Sequence, residues 1–434
     1  MKILIRNGRV IDPASNFDET CDVALAAGRI LAIGNVAPGF APSRVIDAAG
    51  CIVAPGLVDL AVRLREPGHE HEGMLESEMA AAVAGGVTSL VCLPDTDPVL
   101  DEPGLVEMLK FRAEKLHQAR VFPLGALTRN LQGEVLTEMV ELTEAGCVGF
   151  SQAEVALTST QVLQRALQYA STYGYTVWLR PQELHLGRGV AASGALATRL
   201  GLAGVPVAAE TIALHTIFEL MKATGAKVHV CRLSSAAGVE LVRRARDEGL
   251  AVTCDVSINS LHLTDVDIGY FDSRMRLNPP LRQQRDRDAL REALADGTID
   301  ALVSDHTPVD EDAKMLPFAE AEPGATGLEL LLGLALKWGQ ESGVGLARSL
   351  AVLTSQPAGV LGAALGTLRD SAGQLVEGGI ADLCVIDPQA EWVVTSDTLR
   401  SQGKHTPFSG YALPGRVRCT IAAGQIAHEG WDRA

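Results

Sequence analysis

The sequence predicts an α/β fold: a (β/α)8 TIM-like barrel carrying a small β-sandwich domain built from both chain ends. Three observations lead there. Eight apolar, strand-like runs alternate with helical stretches over 56–310, the pattern of a parallel barrel. Short strand patterns bracket that region on either side. The chain is also 47% apolar and 21% charged, enough to pack a large core and without the composition of a disordered segment.

At the N-terminus, ILIRNGRVID, DVALAAGRILAIG and RVIDAAGCIVAP alternate apolar and polar residues between Gly and Asn-Gly turns. From Gly56 the period changes. GLVDLAVRL is followed by the helical GMLESEMAAAVAGG and the strand VTSLVCL, then by ARVFPLGAL, a helix around LTEMVELTEAG, and CVGFS. The helix QVLQRALQYASTYG leads to YTVWLR. AKVHVCRLSS, the helix VELVRRARDEG, LAVTCDVS, the helix DRDALREALADG and IDALVSD complete the series. GLELLLGLALKWGQES and ARSLAVLTSQPAGVLG read as closing helices, after which ADLCVIDP, EWVVTS and RVRCTIAAGQIAHEG return to strand patterns. This places residues 1–52 and 370–434 in the small β domain and 53–369 in the barrel.

Bulk properties narrow the function. A formal net charge of −16 argues against nucleic acid, whose phosphates need a basic surface. The eight cysteines are scattered without a C-x-x-C pair, which favours reduced thiols and a cytoplasmic location. MKILIRNGRVID reads as a strand and not as a signal peptide, and no window offers the run of about 18 uncharged apolar residues that a membrane span needs.

Barrel chemistry sits at the C-terminal ends of the strands. The first ends in the run 59–68, DLAVRLREPG, and here GLVDLxVxLREPG resembles the opening motif of dihydroorotases in the amidohydrolase superfamily. AAAVAGGVTSLVCLPDTDP, RLNPPLR (276–282), DALVSDHTP (300–308), AEPGATGLE (321–329), GGIADLCVIDP and KHTPFSGYALPGRV extend the likeness along nearly the whole chain. The resemblance implies an amidohydrolase barrel whose strand ends hold metal ions. The two x positions are metal-binding histidines in that family; here they are Ala61 and Arg63. By the same likeness Gln152 and Ala153 stand where aspartates are usual. Arg180 and Arg232 replace histidines, Asn259-Ser260 replaces a histidine pair, and Asp305, the family's proton shuttle, survives.

Zinc needs about four N, O or S donors at roughly 2.0–2.3 Å, whereas arginine has no lone pair to give and stays charged. The resemblance therefore implies no metal, no cofactor and no activated hydroxide, with the arginines partly neutralising Asp305 and neighbouring carboxylates. Arg65 and Asn278 match residues that hold the substrate carboxylate, while Asp95 replaces an Asn and is expected to repel an anion. The leading expectation is a non-catalytic homologue. Proteins it resembles serve as inactive partners of the aspartate carbamoyltransferase catalytic subunit in pyrimidine synthesis, and barrels of this superfamily often form dimers. The alternatives are an active cyclic amidohydrolase of dihydroorotase, allantoinase or hydantoinase type using a shifted metal site, and a metal-free binder of anionic metabolites using Arg63, Arg65 and Arg232.

Other candidates read as structural. His69 and His71 lie in a loop past Pro67-Gly68, and His306 points away from Asp305. His229 reads as a satisfied buried histidine, with Cys231 and Cys254 as core fillers.

Overall fold

The computed structural model describes residues 1–431. Eight parallel strands, Leu57–Val62, Val87–Cys92, Arg120–Ala126, Gly149–Ser151, Thr176–Leu179, Lys227–Val230, Val252–Ser257 and Ala301–Val303, lie side by side in chain order. The ring closes where the backbone N–H of Arg63 donates to the His306 carbonyl at 2.9 Å and that of His306 donates to Ala61 at 3.2 Å. Strands of a parallel barrel are covered on both faces, so they are apolar runs; all six residues of Leu57–Val62 and of Val87–Cys92 are buried.

The helices outside obey local rules. In Thr160–Tyr173, Leu163, Ala166, Leu167 and Ala170 bury one stripe at i, i+3, i+4 and i+7. Ser159 caps the start by accepting from the Val162 N–H at 3.3 Å, and Gly174 ends the helix at φ 75°, a conformation open to glycine at little cost. Ser235 caps Ala236–Asp247 in the same way, accepting from Gly238 at 3.0 Å.

Both chain ends meet in one mixed eight-stranded sheet. Lys2–Asp12 pairs antiparallel with Phe17–Ala26 and parallel with Arg44–Asp47 and Ile52–Pro55. The last of these joins Leu383–Val393, then Ala412–Ala422 and Gln425–Glu429. Ile3, Ile5, Val23, Leu383, Val385 and Ile421 share its core. DVALAAGRILAIG is two strands and not one, turning at Ala27-Gly28 with φ of 51° and 79° into Arg29–Ile33. ADLCVIDP and EWVVTS instead fuse into the single strand Leu383–Val393, because the register shift between Asp387 and Glu391 lets the pairing continue across Pro388.

Two further features lay outside the sequence pattern. Between the fifth and sixth strands the chain adds a small unit, with Ala191–Ala192 pairing parallel to Gly204–Val205 around the short helix Ala195–Leu200. The stretch Leu346–Leu368 is long and apolar enough to count as a candidate membrane span, contrary to the expectation from the hydropathy windows. It is broken into Leu346–Ala351, Ser355–Leu361 and a 3-10 segment, Gly362–Leu368. Leu350, Val352, Leu353 and Leu361 pack into the barrel core, which explains its apolar composition.

Candidate active site at the barrel mouth

Each barrel strand except the third delivers a polar residue to the mouth within a few residues of its end. Arg63 and Arg65 follow the first strand, Asp95 the second and Glu154 the fourth. Arg180 follows the fifth, Arg232 the sixth, Asn259 the seventh and Asp305 the eighth. Arg65, Ala153, Arg232 and Asp305 have φ of 62°, 49°, 54° and 51°. Non-glycine residues avoid this left-handed region, so the backbone is strained where the strands turn their side chains over the mouth.

The organising group is Glu154, which the family motif did not single out. Its Oε1 accepts from Arg63 Nη2 at 2.9 Å and pairs with Arg232 Nη2 at 2.5 Å. Its Oε2 pairs with Arg180 Nε at 2.8 Å and accepts from Asn278 Nδ2 at 2.7 Å. Arg63 Nε also donates to Asp95 at 2.8 Å, and Arg232 Nη1 donates to Asp305 at 3.2 Å. Three guanidinium groups are thus interleaved with three carboxylates. Burial pushes the Glu154 pKa up, but Arg180, Arg232 and Arg63 outweigh it and hold the carboxyl well below the usual range. For Asp305 burial wins: its pKa is raised, and Arg232 and Arg63 offset this only in part.

The remaining expected residues sit close by in other roles. Gln152 turns away from the mouth, accepting from Thr128 Oγ1 at 2.9 Å and donating to the Leu131 carbonyl at 2.6 Å. Ala61 is buried and offers no donor. Arg65 lines the remaining space, but its Nε is already held 2.5 Å from Glu72 and 2.8 Å from the Pro308 carbonyl. Asn278 is likewise committed to Glu154. Asp95 is neutralised by Arg63 and does not stand as a lone repulsive charge. The space left among these groups is about 150 Å³, small beside the ~300 Å³ at which ordinary ligand pockets begin.

The histidines fall away from the mouth. His306 is fully buried, with Nε2 2.7 Å from Glu78 and Nδ1 accepting from the Gly327 N–H at 3.1 Å. His69 and His71 lie in a loop beside Glu72, at 3.9 and 3.6 Å. His229 bonds Thr253 Oγ1 at 2.8 Å and Asp255 Oδ2 at 2.9 Å.

Comparison with known proteins places the chain. It is 46% identical over 431 residues to a dihydroorotase-like protein of Pseudomonas aeruginosa, covering 99% of this chain and 100% of that one. The chain belongs to the dihydroorotase-like family. The dihydroorotase-like chain is also 44% identical to a dihydroorotase-like protein of Pseudomonas putida, with 99% of each covered. It is 39% identical to a dihydroorotase of Geotalea daltonii, over 99% of this chain and 100% of that protein. A family model described as dihydro-orotase-like matches residues 50–237. Among solved structures, the L-hydantoinase of Arthrobacter aurescens superposes with a TM-score of 0.86 at 25% identity, covering 98% and 96% of the two chains. A D-hydantoinase at 20% identity and a TM-score of 0.84, covering 99% and 95%, shares the fold.

The mouth of this dihydroorotase-like barrel does not fit a divalent metal. Both oxygens of its central carboxylate are occupied, each with two nitrogens within 2.9 Å, and the cationic charge is already supplied by guanidinium groups that cannot ligate. A signal for Glu154 did exist. It is the only charged residue in 145–164 and lies just past a predicted strand.

Proposed function

We propose that this chain is a non-catalytic member of the dihydroorotase-like family that acts as a structural subunit in the cytoplasm, with the catalytic subunit of aspartate carbamoyltransferase in pyrimidine synthesis as its partner. One observation carries the reading: the Arg63–Arg180–Arg232 cluster closed around Glu154 occupies the place where a cyclic amide would need an activated water. Such a cluster keeps the barrel mouth rigid without chemistry. Support for docking comes from two loops above the mouth that expose Val266, Tyr270, Phe271, Met315 and Leu316. The loops are tied together by Lys314, whose Nζ donates to the Ser273 and Arg276 carbonyls at 3.3 and 3.1 Å.

A second reading, an active cyclic amidohydrolase, has one observation in its favour. Ligand atoms of His229, Cys231 and Asp255 lie within 4.8 Å of one another. Against it, both His229 nitrogens are already bonded and Asp255 Oδ1 accepts from the Arg232 N–H at 2.6 Å. Metal analysis of the purified chain together with a dihydroorotase assay separates the two. Less than about a tenth of an equivalent of zinc, no turnover and a melting temperature unmoved by a chelator are expected. A full equivalent of metal with turnover would establish the enzyme reading instead.

A further inference from the structure

We propose that a cleft between the barrel and the small sheet binds a phosphorylated small molecule, with Arg400 and Arg416 on the phosphate and Trp392 beside the organic part. The cleft measures about 530 Å³, within the range of ordinary ligand sites, and shares no lining residue with the barrel mouth. Three elements build it. Arg400 follows the turn Ser396–Thr398, and its backbone N–H is fixed 2.9 Å from the Glu329 carboxylate. Arg416 projects from Ala412–Ala422, and His428 from the neighbouring strand Gln425–Glu429, opposite Thr420.

Arg6, Arg9, Arg44, Arg112, Arg120, Arg243, Arg246, Arg274, Arg287, Arg291 and Arg418 all meet a carboxylate. The side chains of Arg400 and Arg416 have no such partner among the described residues, although the protein carries a surplus of acid. Exposed arginines such as Arg129, Arg165, Arg188 and Arg369 also meet no carboxylate among the described residues; what sets this cleft apart is that two such arginines line one cavity together with His428. Burial, then Arg400, then Arg416 depress the pKa of that histidine to about 4. A neutral imidazole results, able to donate one hydrogen bond without adding charge.

Two acids line the same cleft and neither cancels the arginines. Asp397 is exposed and pairs with neither of them. Glu329 is turned into the backbone N–H groups of Arg400 and Ser401, and burial raises its pKa to about 7.

Planar guanidinium forks bind phosphate oxygens in pairs, and two of them beside an imidazole match a tetrahedral dianion better than a single carboxylate. The lining also includes the apolar Leu332, Leu399 and Val417, with the half-buried Trp392 offering an aromatic surface to a planar ring.

The inference is independent of the assembly reading. Calorimetry of the full chain with pyrophosphate and with AMP tests it, with tryptophan fluorescence as a second readout. Saturable one-to-one binding is expected, weakened at least about tenfold for both probes in the double variant Arg400→Gln/Arg416→Gln. Trp392→Leu is expected to weaken AMP and leave pyrophosphate unchanged. Both arginines are solvent-exposed, so the double variant is expected to melt with the parent. No saturable heat at millimolar probe, or equal affinity in the double variant, overturns the site. A Trp392→Leu variant that binds AMP like the parent overturns the placement of the organic part.

Discussion

Replacing Glu154 with Gln removes the one charge that three buried cations share. The side chains of Arg63, Arg180 and Arg232 are 7%, 5% and 2% exposed, so the guanidinium groups cannot turn to water without opening the mouth. Breaking a buried ion pair by deleting one partner costs about 3–5 kcal/mol. The lower end applies here, since Glu154 is itself 30% exposed and Asp95 and Asp305 still face two of the three arginines. An unfolding entropy of ~2.1 cal/mol/K per residue gives about 0.9 kcal/mol/K for a chain of 434 residues, so ~3 kcal/mol lowers the melting point by about 3 °C. Thermal melts followed by circular dichroism measure the shift directly, and added salt should recover part of it by screening the uncompensated arginines. A variant that melts with the parent, or above it, would refute the view that Glu154 holds the cluster together.

Two further outcomes follow from the same structure. Asp59 is fully buried and its pKa is raised to about 7, chiefly by burial, with the Ser304 and Ala61 N–H groups only partly compensating. The folded state therefore holds a proton that the unfolded chain releases near pH 4, and stability contributed by the neutral acid is lost as pH rises from about 4 through 7. Asp59→Asn removes that dependence, so its melting temperature should gain on the parent between pH 5 and pH 8; parallel curves would show that Asp59 is not the group responsible. For docking, Tyr270→Ser with Met315→Ser is expected to abolish co-elution with the aspartate carbamoyltransferase catalytic subunit while leaving the melt unchanged. A parent chain that fails to co-elute sinks the assembly reading itself, whereas a variant that still co-elutes moves the docking face elsewhere.

The barrel was legible because its signal is local. Apolar runs of three to seven residues alternating with amphipathic helices fix which segments are strands, whatever their neighbours do. That residues 61, 63, 180 and 232 cannot ligate a metal was legible too, since an alanine or arginine side chain offers no lone pair in any environment. The pairing of the charged groups at the mouth was not legible. The sequence placed Gln152 at the mouth and left Arg65 and Asn278 free for a ligand. In the fold Gln152 turns to Thr128 and Leu131, Arg65 pairs through Nε with Glu72, and Asn278 donates to Glu154.

Those pairings join residues as far apart in the chain as Asn278 and Glu154, 124 positions, and Arg65 and Pro308, 243 positions. They depend on the direction in which each strand end releases its side chain, and at Ala153, Arg232 and Asp305 a left-handed backbone sets that direction. The chemical identity of each group was fixed by the sequence alone. Which charge meets which was decided by tertiary structure, because Coulombic pairing acts through space, and only the closed ring of strands brings these ends within reach of one another.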